Sequence, residues 1–222
     1  MVGMDGRSAV DLAARARAEI AAEATGNRFL ELLEAGEAPR ERLHRLAGEE
    51  WRIVDSDRRG FALLASRFAA PPAGDWFLGM AQGETAAFGL LADFAAALGW
   101  DEQDLRAYRP RPAAQAYPNY LARLAWQGTR AEVALGMAAN LAEWGEYCGR
   151  AAVALRDRYD LPEPAVAFFR FFAEPPPGLE EQALAVVQAG LDAGDDPADA
   201  LHAARMLHAY ETAFWADLAD GL

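Results

Sequence analysis

Cysteine, histidine and strand-forming pattern are all scarce in this chain, and each shortage closes a class of function. Cys148 is the single cysteine, so no disulfide can form within the chain and a reducing cytoplasm is the expected compartment. Three histidines, His44, His202 and His208, leave little for metal or haem chemistry, so neither a metal nor another cofactor is expected. Basic residues are outnumbered, 21 against 34 acids for a net charge of −13, which argues against nucleic acid or an anionic membrane surface as partner. The longest nearly apolar run, Ala86 to Trp100, is too short for a membrane span and contains Asp93. The N-terminus is alanine-rich with mixed charges and lacks the basic region and apolar run of a targeting segment. Glycine-rich phosphate loops and a G-x-S-x-G elbow are also missing, and Glu84 is followed three residues on by Ala87 where a di-iron bundle has the histidine of a Glu-x-x-His pair.

What the chain has is helix. Alanine, leucine, arginine and glutamate dominate, and no stretch sustains a period-2 pattern of β-branched residues. Proline, glycine and capping residues predict helices over 8–24, 29–33, from Pro39 to before Pro71, and from Asp75 to Leu98. A short helix is expected after Asp101, then helices over 113–126, from Thr129 to about Tyr159, over 164–173 and 179–193, and from Asp196-Pro197 to the end. No repeat, linker or low-complexity tail divides them. The expectation is one all-α domain over residues 1–222, a multi-helix bundle, with 53% apolar residues to fill its core.

Several helices place polar residues where a simple bundle has leucine. The last helix aligns Ala204, Leu207, His208, Glu211, Phe214, Trp215 and Leu218 on one face. A glutamate in such a stripe is costly without a partner. The second long stripe carries Glu50 and Asp57, the third carries Glu84, and the helix after Thr129 carries Asn140 with Trp144 and Tyr147. Pairing with Arg52, Arg67, Arg123 or Arg205 is the structural explanation; convergence on a pocket is the functional one, and this is how all-α proteins build sites. Cys148, about 80° around the helix from Asn140, reads as a packed thiol. Phe168-Phe169-Arg170-Phe171-Phe172 is a candidate for subunit packing or for a helix buried all round.

Taken in order, these segments resemble the TenA family, or thiaminase II, of the haem-oxygenase-like superfamily, over nearly the whole length. Tyr210-Glu211-x-x-Phe214-Trp215 is similar to the family's closing Y-E-x-x-F-W segment. Phe29-x-x-Leu32 through Gly36-x-x-Pro39 resembles its entry motif, Glu49-Glu50 stands where the family has Gln-Asp, and Tyr117-x-x-Tyr120 matches its tyrosine-bearing helix. The family's Pro-Cys segment falls on Ala139-Asn140, the following tryptophan and tyrosine positions on Ala142 and Trp144, and a kept glutamate on Glu146. An amide cannot replace the family's nucleophilic cysteine.

The resemblance implies a buried pocket for a small flat heterocycle and a cysteine-independent hydrolase of thiamin-salvage type acting on an aminopyrimidine. Glu211 and Glu50 would be its catalytic acids, with Glu211 as general base and acid. Tyr117, Asn140, Trp144, Glu84 and Tyr120 would line the substrate, Tyr117 and Asn140 as oxyanion donors and Trp144 as a stacking surface. Homo-oligomers, common in the family, are expected. A non-catalytic heterocycle-binding protein, an oxidase of the same superfamily and an interaction module with an empty pocket are the alternatives.

Overall fold

The computed structural model describes residues 8–222, and among these it contains ten α-helices and no strand. Ser8 caps α1 (Ala9–Glu23), and Asn27 caps α2 (Arg28–Ala35) by accepting from the Leu30 N–H. The long α3 (Arg40–Arg67) follows Pro39, and α4 (Ala73–Ala97) starts two residues ahead of the expected Asp75, which sits in its first turn. Asp101 and Asp104 close a capping box on α5 (Glu102–Ala107). The next helix, α6 (Ala116–Gln127), begins three residues later than its composition suggests. Thr129 and Glu132 form a second capping box on the 30-residue α7 (Arg130–Tyr159). Beyond it lie α8 (Glu163–Ala173), α9 (Leu179–Asp192) and α10 (Pro197–Ala219), the last capped by Asp196.

The helices pack as a bundle in which α3 lies along α4 and α7 packs on α8, α9 and α10. Its apolar residues form two cores rather than one. The first joins α2, the early part of α3, the late part of α4 and the C-terminal halves of α7 and α10 through Phe29, Leu46, Phe94, Leu155 and Phe214. The second joins α1, the late part of α3, the early part of α4, α6, α9 and the N-terminal halves of α7 and α10 through Leu12, Phe61, Phe77, Leu135 and Leu207. Four helices run through both cores. Each changes membership at a polar residue: Asp57 lies between Val54 and Phe61, Glu84 between Ala81 and Ala87, Asn140 between Ala139 and Cys148, and Glu211 between Leu207 and Phe214.

At this waist α7 and α10 approach closely. A Cβ on Gly136 would lie 2.3 Å from Leu207 Cδ1, so any larger residue there would have to displace the Leu207 side chain. Among the described residues, no helix is long and apolar enough to cross a membrane.

Candidate active site in the waist of the bundle

The waist holds a cavity of about 270 Å³ lined by Glu50 and Asp57 of α3, Glu84 of α4 and Glu211 of α10. Periodicity brings Glu50 and Asp57 to the same face, since seven residues make nearly two turns. Glu50, Asp57 and Glu211 are buried, and one carboxylate oxygen of each lacks any hydrogen-bond partner. Burial, with Glu84, Glu211 and Glu49 nearby, pushes Glu50 well above the ordinary carboxylate range. Burial beside Glu84 and Glu50 does the same to Asp57, offset in part by the Tyr117 hydroxyl. Burial raises Glu84 to about 8; burial and the neighbouring Glu143 raise Glu211 to about 8.

No cation relieves this crowding. All 21 basic residues of the chain are arginines, and among the described residues none lines the cavity. The four arginines offered by the sequence as partners are engaged elsewhere. Arg52 donates to the Arg106 and Tyr108 carbonyls, and Arg67 to those of Leu124, Ala125 and Gly128. Arg123 lies over Tyr120, and Arg205 pairs with Glu23. The ion-pair explanation therefore fails for all four acids. Among the described residues, no group of three or more His, Cys, Asp or Glu side chains could hold a metal ion. None of the three imidazoles lines the cavity: His44 contacts the Arg40 and Leu98 carbonyls, His202 is exposed, and His208 is turned toward Asn140 and Glu143.

A sequence-family model for TENA/THI-4/PQQC matches residues 16–167, more than half of the chain. The chain belongs to the TENA/THI-4/PQQC family. Solved structures extend the likeness of fold to nearly all of it. A TenA homologue from P. horikoshii OT3 is 16% identical with a TM-score of 0.74, covering 95% of this chain and 98% of the other. A TenA family transcription regulator from Silicibacter sp. TM1040 is 18% identical at a TM-score of 0.71, covering 94% and 96%. A putative TenA-like thiaminase from Sulfolobus solfataricus is 14% identical at 0.55, covering 99% and 97%. No curated protein matches the sequence. Glu50, Asp57, Glu84, Tyr117, Asn140 and Trp144 fall inside the stretch matched by the TENA/THI-4/PQQC model, and Glu211 lies beyond it.

The structure brings most of the sequence-derived candidates of this TENA/THI-4/PQQC chain together, and changes the part some of them can take. Tyr117 and Trp144 line the cavity. Burial and the surrounding acids raise the Tyr117 phenol well above its ordinary value, so its hydroxyl stays a donor. Trp144 is braced by Trp215 at 5.7 Å and Phe172 at 5.8 Å between ring centroids. Asn140 also lines the cavity, but its amide nitrogen donates to the Gly136 carbonyl at 2.8 Å and faces that of Ala204 at 3.4 Å. Its oxygen meets His208 Nδ1 at 3.1 Å. Both amide hydrogens are directed at carbonyls, so Asn140 has none left for an oxyanion; it clamps α7 to α10. Tyr120 does not line the cavity and packs instead on Tyr210 and under Arg123.

Other residues enter unannounced by the sequence. Glu143, not Glu146, is the acid on α7 whose charge acts on Glu211, although it does not itself line the cavity. It accepts from Tyr147 at 2.9 Å and lies 3.2 Å from His208, whose hydrogen bond holds it below the ordinary glutamate range. Glu146 is exposed and pairs with Arg150. The phenylalanine cluster divides: Phe168 and Phe169 are fully buried in the first core, while Phe171 and Phe172 line the cavity with Pro175, Pro176 and Leu179. Cys148 is buried outside the cavity, and burial near Glu50 and Glu211 pushes its thiol well above its ordinary value, which leaves it a packed group.

Proposed function

We propose that the cavity binds a thiamin-related aminopyrimidine and hydrolyses a C–N bond on it without a cysteine nucleophile. The observation that carries this reading is the pair Glu50 and Glu211: buried, each with an unpartnered oxygen, and lining one cavity with Tyr117 and Trp144. Membership of the TENA/THI-4/PQQC family and the fold shared with a putative TenA-like thiaminase support the choice of substrate class. A carboxyl group matches the amidine edge of an aminopyrimidine, accepting from the exocyclic amine while sharing a proton with the ring nitrogen. Glu50 takes this role, and Trp144 supplies the stacking face.

For an N-formyl aminopyrimidine the step balances on one acid. Ionised Glu211 removes a proton from water as the oxygen attacks the formyl carbon. The Tyr117 hydroxyl, directed at Asp57, turns from it to donate to the oxyanion of the tetrahedral intermediate. The C–N bond then breaks, and Glu211 returns the proton to the leaving amine, giving formate and the free amine. Because burial and Glu143 raise Glu211 to about 8, its basic form grows as pH rises toward that value.

The same property favours a second reading, a binding protein without catalysis, since below about pH 8 Glu211 is mainly protonated, and burial with the neighbouring acids disfavours the ionised form of Glu50 too. A thermal-shift screen of thiamin, aminopyrimidines, their formylated derivatives and unrelated heterocycles, followed by mass spectrometry, separates the two. A pyrimidine that stabilises the protein and is consumed supports the hydrolase; one that stabilises it unchanged supports the binder. No shift with any thiamin-related compound sinks both.

A further inference from the structure

Two of the four cavity acids, Asp57 and Glu84, have no part in that chemistry. Asp57 lies two turns beyond Glu50 on the same face of α3, about 10 Å along the axis. It is 5% exposed, lines the cavity, and its Oδ1 has no partner. A carboxyl held this way is expensive unless something outside the chain completes its hydrogen bonding. The groups facing it are Glu84 from α4, Glu50 from its own helix and Tyr117 from α6, so the described residues supply acids and one phenol but no cation.

A second observation points to a ligand at the same end. The α4 helix turns Gly79 and Gly83 toward the cavity. A Cβ on Gly79 would meet nothing within 4 Å, and one on Gly83 would meet only the Phe171 ring, at 3.9 Å. Mid-helix glycine costs about 1 kcal/mol relative to alanine, and packing here gives no reason for it. Met80 and Trp76 line the same cavity beside these two glycines, so its wall on this side is apolar, as an alkyl chain requires.

We propose that Asp57 and Glu84 form a second binding pole that receives a protonated primary amine carried on an alkyl arm of the ligand. The identity of the ring at the other end rests on the function proposed above; the amine pole does not. A metal ion is the poorer occupant, because no three metal-ligating side chains come together here. An ammonium group needs only two acceptors and tolerates flexible geometry. Since Glu84 stands at about 8 and burial near Glu84 and Glu50 holds Asp57 up as well, arrival of the cation ionises the pole and releases a proton to solvent.

Calorimetry on the full chain at pH 7, in two buffers of different ionisation heat, tests this with three probes. They are an aminopyrimidine without an arm, the same ring bearing a three-carbon primary amine, and butane diamine. The arm is expected to improve affinity on the order of tenfold or more, as a charge-assisted hydrogen bond does, with release of a proton that the armless ring does not show. Asp57→Asn removes the arm's advantage and the extra proton while leaving armless binding unchanged; Asp57→Ser gives the same result if the asparagine variant misfolds. Equal affinity of the two pyrimidines overturns the second pole and leaves the proposed function standing. Binding of the diamine alone, lost in Asp57→Asn, overturns the pyrimidine reading and keeps the pole. No binding of any probe overturns both.

Discussion

Glu49 and Glu50 are consecutive on α3, both buried, at 0% and 1% exposure, and their surroundings are opposite. Glu49 accepts three hydrogen bonds, from the Tyr108 hydroxyl at 2.7 Å, the Arg111 N–H at 2.7 Å and Gln115 Nε2 at 2.6 Å. Gly48 makes room for this, since a Cβ there would lie 2.5 Å from the Tyr108 ring. The Arg111 side chain then reaches Asp217 of α10 through both carboxylate oxygens. One turn-step around the helix, Glu50 faces the cavity with Oε1 unpartnered. Burial of an acid is common to both. What separates a structural socket from a site is whether the chain itself satisfies the acid. The socket ties α3 and the segment after α5 to α10; the cavity leaves its donors to a ligand.

The contrast predicts that cavity substitutions act on chemistry and socket substitutions on stability. The largest effect belongs to Glu211→Gln, which should lower hydrolysis by about 10²–10⁴-fold with melting temperature held or raised. Retained turnover would remove Glu211 from the acid–base role. Next is Glu49→Ala, which strands three donors and should cost about 3 kcal/mol or more in urea unfolding. Glu50→Gln at neutral pH should cost nothing or stabilise, because it removes a group whose ionised form is disfavoured. Equal losses in the two variants would mean that the unpartnered acid is satisfied in solution after all.

Titration sharpens the same comparison. The raised value of Glu211 means that its contribution to stability is fully present below the unfolded glutamate value. It is lost as pH rises from about 4.5 toward about 8. Wild type should therefore lose stability relative to Glu211→Gln across that interval, read from unfolding curves at several pH values. A constant difference would show that the carboxyl titrates normally. Asn140→Cys belongs between the two regions, as Asn140 lines the cavity but bonds like a socket residue. Loss of its contacts with Gly136 and His208 should cost about 1–2 kcal/mol, with little thiaminase activity gained. Full activity would show that the pocket still suits thiamin.

Much of this was legible in the sequence. Capping residues such as Ser8, Asp101, Thr129 and Asp196 mark helix starts because their side chains satisfy the first backbone N–H groups. The helical period exposes Glu50, Asp57, Glu84 and Glu211 as polar breaks in apolar stripes, and those breaks coincide with the waist between the two cores. The period could not distinguish Glu49 from Glu50, because the donors to Glu49 lie 59 to 66 residues away. Nor could it show that the Asn140 amide turns back on Gly136, or that Glu143 packs beside His208 and acts on Glu211 while Glu146 faces solvent. Phe171 and Phe172 were hidden for another reason: four phenylalanines in five residues carry no face information, and only the packing of α8 on α4 and α7 divides them.

The smallest predicted effect tests whether the cavity's aromatic wall serves the ligand or only the fold. Trp144 packs on Trp215 and Phe172 while presenting a face to the cavity, so it contributes on both sides. Trp144→Ala should weaken heterocycle binding by about 1 kcal/mol, the usual worth of an aromatic pair beyond its buried area. That is roughly fivefold in Kd. Kd must be read well below the melting temperature of the variant, because truncating a braced indole also loosens the waist. Trp144→Phe separates the contributions: it keeps a stacking face and should recover most of the affinity even where stability is not restored. If alanine leaves Kd unchanged, the ring lies against the opposite wall, and Glu50 rather than the aromatic face is what holds it.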